Sequence, residues 1–156
     1  MNDLLILPEA GPIRRILALV YDLLMVVAIS LVYVLIVSIG DVAFTSVQVG
    51  DAVEVYDQLW YRAGFVIVNT LFFVYFWHRA GQTIGMRAWR LKLVDAQTGV
   101  PPSLQQCILR CIVAPLAIGL GLIGYWWCWR DKEGRALQDR LTKTRVILLP
   151  KIKKAS

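Results

Sequence analysis

The chain has 156 residues, 58% of them hydrophobic, with a mean hydropathy of +0.59 and a formal net charge of +6. That is too apolar for an ordinary soluble domain and fits one small integral membrane domain, all-α in class and in contact with the lipid bilayer. In such a chain basic residues serve as orientation signals and as contacts to anionic lipid headgroups, so the positive charge is not read as a nucleic-acid footprint.

Residues 1–13 form a short lead containing Pro8, Gly11 and Pro12. The first apolar run, residues 16–39, is predicted to cross the membrane, since about 20 apolar residues span the hydrocarbon core as a helix. Arg14 and Arg15 precede it as they would in a signal peptide. The run is longer than the roughly 7–15 residues of a signal-peptide core and contains Asp22, so an uncleaved anchor is expected. A lipid-facing carboxylate costs about 2.5–3.5 kcal/mol at a helix centre, so Asp22 needs protein or water beside it. Arg15, Ala18 and Asp22 share one helix face, with Tyr33 falling near it, and Ala18 leaves room for close approach by another helix.

Residues 40–59 carry Asp41, Asp51, Glu54 and Asp57 and no lysine or arginine. The second span is predicted over residues 60–77, with Trp60 and Tyr61 at one end and Tyr75 and Trp77 at the other, as in an aromatic belt. Asn69 lies mid-span as a candidate interhelical hydrogen-bond donor. Residues 78–107 carry Arg79, Arg87, Arg90 and Lys92 against one acid, Asp95. The positive-inside rule puts this segment and the N-terminus in the cytoplasm. Within it, residues 88–95 alternate with period two and predict a short strand or an amphipathic interfacial segment, closed by the turn residues from Thr98 to Pro102.

The third apolar run, residues 111–129, is uncharged, with Arg110 at its head. The following tail, residues 130–156, has nine basic residues against three acids, so the positive-inside rule wants it in the cytoplasm as well. One straight crossing would export that tail. Pro115, Gly119, Gly121 and Gly124 interrupt the run, as in a broken or re-entrant segment. We expect this run to dip in and return, with a straight third span as the rival. Residues 145–149, RVILL, are a strand candidate that would pair with Leu91–Asp95 if both lie in the cytoplasm.

The three cysteines make no CxxC pair and His78 is the one histidine, so neither a metal site nor a cofactor is expected. No Ser/His/Asp or Cys/His constellation is present, and no enzyme is expected. Gly81, Thr83 and Gly85 lack the Gly-Lys-Ser/Thr of a phosphate loop. The expectation there is a sharp turn at the membrane surface, with Thr83 capping a short segment.

Taken together, these motifs resemble the RDD family of membrane proteins. They are R-x-x-A-x-x-x-D at Arg15, Ala18 and Asp22, then Gly81-Gln82-Thr83-Ile84-Gly85, then a basic segment ending Leu93-Val94-Asp95. Arg110 and Leu137-Gln138-Asp139-Arg140-Leu141-Thr142-Lys143-Thr144 complete the order. The likeness covers about residues 12–149. It implies that the family's arginine is Arg15, that its two aspartates are Asp22 and Asp139, and that its G-Q-T-x-G motif is Gly81, Gln82, Thr83 and Gly85. Two positions depart from the family pattern: Met86 stands where a lysine is common, and Gln138 where a histidine is. The resemblance implies a bacterial cytoplasmic-membrane protein and carries a suggestion of ion or solute transport, including sodium–proton exchange.

The central constellation is Arg15, Asp22, Arg110 and Asp139. Asp22 is expected to find its cation in Arg110, and Asp139 to meet Arg15 at the cytoplasmic mouth. Such pairs specify a fold, and an arginine beside Asp22 would hold it ionised and argue against proton carriage. Intramembrane carboxylates also mark ion pathways. Two functions follow: an accessory subunit docked on a membrane-protein partner, or a homo-oligomeric cation–proton exchanger, since three such helices do not easily enclose a path.

Overall fold

The computed structural model describes residues 4, 6–45, 58–119 and 135–151. Five helices and two strands lie in these segments, in the order α1 (Pro12–Thr45), α2 (Leu59–Ala80), α3 (Ile84–Ala88), β1 (Leu91–Asp95), α4 (Leu104–Gly119), α5 (Leu137–Leu141) and β2 (Thr144–Leu148). The chain is mostly helical, with a small two-stranded antiparallel sheet in place of an all-α fold. Two of the helices, α1 and α2, are long and apolar enough to cross a membrane.

Several elements begin or end on a readable local signal. Pro12 opens α1, where a missing N–H costs nothing. α2 ends with His78 and Arg79 in its last turn, and Gly81, at φ +68°, donates its N–H to the Trp77 carbonyl at 2.9 Å. That left-handed stop suits glycine because it has no Cβ. Ser103 and Gln106 open α4 with a reciprocal capping box. The Gln106 N–H reaches the Ser103 hydroxyl at 3.3 Å, and the Ser103 N–H reaches Gln106 Oε1 at 2.9 Å.

The strands pair as expected, antiparallel, with Leu91 opposite Leu148 and Asp95 opposite Thr144. Both outer edges of this short sheet are occupied. Along β2, the Ala10 N–H donates to the Val146 carbonyl at 2.8 Å, and the Leu148 N–H to the Pro8 carbonyl at 2.9 Å. Along β1, the Leu93 N–H donates to the Gly81 carbonyl, and Gln82 Nε2 to the Leu91 carbonyl, both at 2.7 Å. These contacts satisfy backbone groups that a bare edge would leave open. Leu91, Leu93 and Val146 point into the main apolar cluster with Met86, Trp77 and Cys107. Val94 and Ile147, on the opposite face, are also fully buried.

The two strands are reached in the same way. α3 is followed by Trp89, Arg90 at φ +57° and β1; α5 is followed by Thr142, Lys143 at φ +53° and β2. Helix, left-handed basic residue and strand thus recur at the same lengths and spacing. The two copies meet antiparallel about the central pair Leu93 and Val146. This internal repeat has almost no identical residues to announce it in the sequence.

The chain divides into two compact units: Met1–Asp22 with Phe73–Ser156, and Leu23–Phe72. The second is a helical hairpin. In it the Tyr33 hydroxyl donates to the Tyr61 carbonyl at 2.9 Å, and the Tyr33 ring packs on those of Tyr61 and Phe65. A Cβ on Gly64 would collide with the Tyr33 hydroxyl, so this glycine permits the close approach. Asn69 Nδ2 donates to Ser30 Oγ at 3.3 Å, the interhelical bond expected of a mid-span amide.

The third apolar segment differs from expectation. α4 starts at Leu104, before the uncharged run, and Arg110 lies inside the helix rather than at its head. The capping box sets that start, whereas hydropathy marks only where the charges stop. Residues 120–129 of the predicted run, and the acidic segment from Asp51 to Asp57, lie outside the described residues.

Candidate functional site

The first unit contains a buried cluster of arginines and carboxylates, assembled from the N-terminal lead, α1, α4, α5 and β2. Asp139, on α5, is fully buried, and Arg15 and Arg110 are 4% and 7% exposed. The Arg15 guanidinium pairs with the Asp139 carboxylate through Nη1. Its Nε donates to the Ala10 carbonyl at 2.8 Å, and its Nη2 to Glu9 Oε2 at 3.0 Å. From the other side, Arg110 Nη2 lies 2.7 Å from Asp139 Oδ1, and Nη1 donates to the Thr144 hydroxyl at 2.8 Å. Arg110 also sits 5.5 Å over the Trp77 ring, a cation–π contact. Glu9 completes the chain of charges by accepting from Arg145 Nε at 2.7 Å.

Charge and burial act in opposite directions at the two acids. At Asp139, burial pushes the carboxyl upward, but the Arg15 and Arg110 guanidiniums outweigh it and hold it below the ordinary value of 3.8. At Glu9, burial prevails over the hydrogen bond from Arg145 and holds the carboxyl above 4.5.

Asp22 does not meet Arg110; Asp139 takes that arginine instead. Asp22 is 4% exposed, on the α1 face it shares with Arg15 and Ala18. Its Oδ2 accepts from the Thr83 hydroxyl at 2.5 Å and its Oδ1 from the Gly85 N–H at 2.8 Å. The Thr83 Oγ1 in turn accepts from the Met86 N–H at 3.2 Å, capping α3. A Cβ on Gly85 would strike the Ala18 carbonyl and lie 2.9 Å from the Asp22 carboxyl, so only glycine fits. The reason for the different pairing is topological. The turn after α2 brings Thr83 and Gly85 onto the Asp22 turn of α1, while α4 lies with α5 and β2, where Asp139 is.

The G-Q-T-x-G residues therefore divide the work. Gly81 and Gln82 close the edge of β1, and Thr83 and Gly85 bind Asp22. Glu9, Thr144, Arg145 and Trp77 were not anticipated as members of the cluster. Arg145 was legible as a basic tail residue opening a strand candidate but not as an ion-pair member, and Glu9 had no periodic context to mark it. Gln138 is 1% exposed, and neither polar atom of its amide has a hydrogen-bond partner among the described residues. Met86, at the other departure from the family pattern, is a core residue. Among the described residues no group of three or more His, Cys, Asp or Glu side chains could hold a metal ion.

These features define a small helical protein with two apolar helices of membrane-spanning length and an arginine–aspartate clamp beside a strand pair. The RDD family model matches residues 9–143, and the chain belongs to the RDD family, a membrane family. An uncharacterized protein of Rickettsia prowazekii (strain Madrid E) is 34% identical over 82 residues, covering 53% of this chain and 45% of that relative. The match thus spans less than half the relative's length. No solved structure matches.

Proposed function

We propose that this protein is a multi-pass protein of the bacterial cytoplasmic membrane and serves as a structural or accessory subunit of a larger membrane assembly. α1 and α2 form the spanning hairpin. Residues 8–10, β1 and β2 are hydrogen-bonded to one another, so all three lie on one side of the bilayer. The basic 78–107 segment makes that side cytoplasmic, where its exposed arginines meet anionic lipid headgroups. The chain between β1 and β2 then returns to the side it left, in keeping with a run that does not cross once.

The observation that carries the architectural reading is the saturation of the family's charged residues. Asp139 is neutralised by two arginines, and Arg15 spends all three nitrogens on Asp139, Glu9 and the Ala10 carbonyl. Among the described residues, the charged groups of this cluster are engaged with one another, which supports a structural role. Mild extraction from native membranes should then yield a complex of defined mass containing a second membrane polypeptide.

A second reading, oligomeric cation–proton exchange, is favoured by Asp22. Its carboxylate is held by two neutral donors rather than by an arginine, so the objection that a guanidinium locks its charge does not apply. Proteoliposomes with a pH-sensitive dye separate the two. No exchange of sodium, potassium or lithium for protons over a range of pH supports the accessory role. Exchange that disappears in a folded and inserted Asp22→Asn variant overturns it and makes Asp22 a transport residue.

A further inference from the structure

We infer that α4 is an amphipathic lipid-binding helix lying in the cytoplasmic interface of the bilayer, seated there by Leu104, Ile108, Leu109, Ile112 and Leu116. This rests on the reading of the chain as membrane-embedded. All five side chains are exposed, and their spacing places them on one face of the helix. The one charged residue of α4, Arg110, points the opposite way into the buried cluster with Cys107. The exposed face therefore carries no charge, and its one polar side chain, Gln105, sits in the first turn. An uncharged apolar face of this length needs an apolar occupant, and the adjoining membrane helices identify it as lipid.

The contacts at and just before α4 support a helix that runs flat. The His78 Nδ1 lies 3.1 Å from the Pro102 carbonyl, and the Trp77 ring lies under Arg110. Pro102 lies two residues before α4 and Arg110 well inside it, yet their partners on α2 are the neighbouring residues His78 and Trp77. The same holds on the sheet side. Gln106 donates to Asp95 Oδ2 at 2.6 Å and to the Lys143 carbonyl at 3.3 Å, and Arg110 donates to Thr144, the next residue. α4 thus runs along the strand pair and meets α2 at Trp77 and His78.

Nitroxide labels test this by depth. Single cysteines are placed at Leu104, Ile108 and Ile112 in the full chain in liposomes, with the native cysteines replaced by alanine, and at Val66 of α2 as a deep control. The expected result is oxygen accessibility at all three α4 sites at nearly one shallow depth, with Val66 deeper. A depth that increases by about 1.5 Å per residue from Leu104 to Ile112 overturns the inference in favour of a dipping or crossing helix. Labels shielded from lipid on α4 while Val66 is lipid-exposed overturn it in favour of a protein cover. A Val66 label outside lipid removes the membrane reading itself. Should the cysteine-free chain fail to fold, the unaltered chain in liposomes with diazirine phospholipids gives the same answer. Adducts on residues 104–116 should come from a probe near the glycerol backbone and not from one at the acyl terminus; the reverse pattern overturns the proposal.

Discussion

The two family aspartates are buried alike and held by opposite chemistry. Asp139 lies between two guanidiniums, whereas Asp22 accepts from a hydroxyl and a backbone N–H. The first arrangement must keep its charge, because two buried arginines depend on it. The second needs only acceptor oxygens, because its partners are neutral. An ion pair fastens α1, α4 and α5 together at Asp139; at Asp22, a cap in trans fixes the turn that follows α2. The difference teaches that burial of a carboxylate does not by itself say whether its charge is structural.

Removing the charge at Asp139 should therefore have the largest effect. Asp139→Asn leaves Arg15 and Arg110 without a shared counter-ion, at a cost of about 3–5 kcal/mol, read as a fall in the melting temperature of the detergent-solubilised protein. Loss of no more than about 1 kcal/mol, the level of an exposed pair, would show that the cluster is hydrated. The pH dependence follows from the lowered carboxyl. A depressed folded-state value contributes stability that is fully present above the unfolded value and lost as pH falls through the folded one. The wild type should lose this contribution below about pH 4, and Asp139→Asn should lack that portion of the acid limb. Glu9 has the opposite sign. Its raised carboxyl favours the folded state at low pH, and that contribution is lost as pH rises through the folded value.

Gly85→Ala comes next. The new methyl meets a backbone carbonyl, Ala18, which cannot swing aside as a flexible side chain would. Overpacking of this kind costs about 1–3 kcal/mol, and the melting temperature should fall accordingly. An unchanged value would mean that α3 and α1 separate freely, and the trans cap would lose its importance. Asp22→Asn should cost less, about 1 kcal/mol. The amide oxygen can still accept from Gly85, while the Thr83 hydroxyl reverses to accept from the amide. A loss as large as that of Asp139→Asn would break the comparison and reveal a cation held at Asp22.

How much of this was legible follows from the range of each signal. Helical periodicity placed Arg15, Ala18 and Asp22 on one face, and all three are buried there. Period-two alternation at residues 88–95 and the apolar run at 145–149 located both strands and their pairing. Partners across the chain were less accessible. Arg110 could be assigned to Asp22 or Asp139 equally well, because no local pattern tells which acid-bearing element packs on α4. The start of α4 was within reach: Ser103-Leu104-Gln105-Gln106 is a capping-box signature. The repeat of helix, left-handed residue and strand was not, since it depends on the φ angles of Arg90 and Lys143. These are ordinary basic residues by composition.

The smallest predicted effect has the opposite sign and comes from the position beside Asp139. Gln138 is buried with neither amide atom paired among the described residues, within a helix whose next residue is fully neutralised. An unpaired buried polar group costs about 1–3 kcal/mol, and methionine fills nearly the same volume with no polar atom. Gln138→Met should therefore raise the melting temperature, by the lower end of that range once imperfect packing is included. The charge cluster should be unaffected, because Gln138 donates nothing to it. A fall in stability would show that the amide has a partner in the folded protein. The clamp at Asp139 would then extend one residue further, while Asp22 would remain the simpler, neutral anchor.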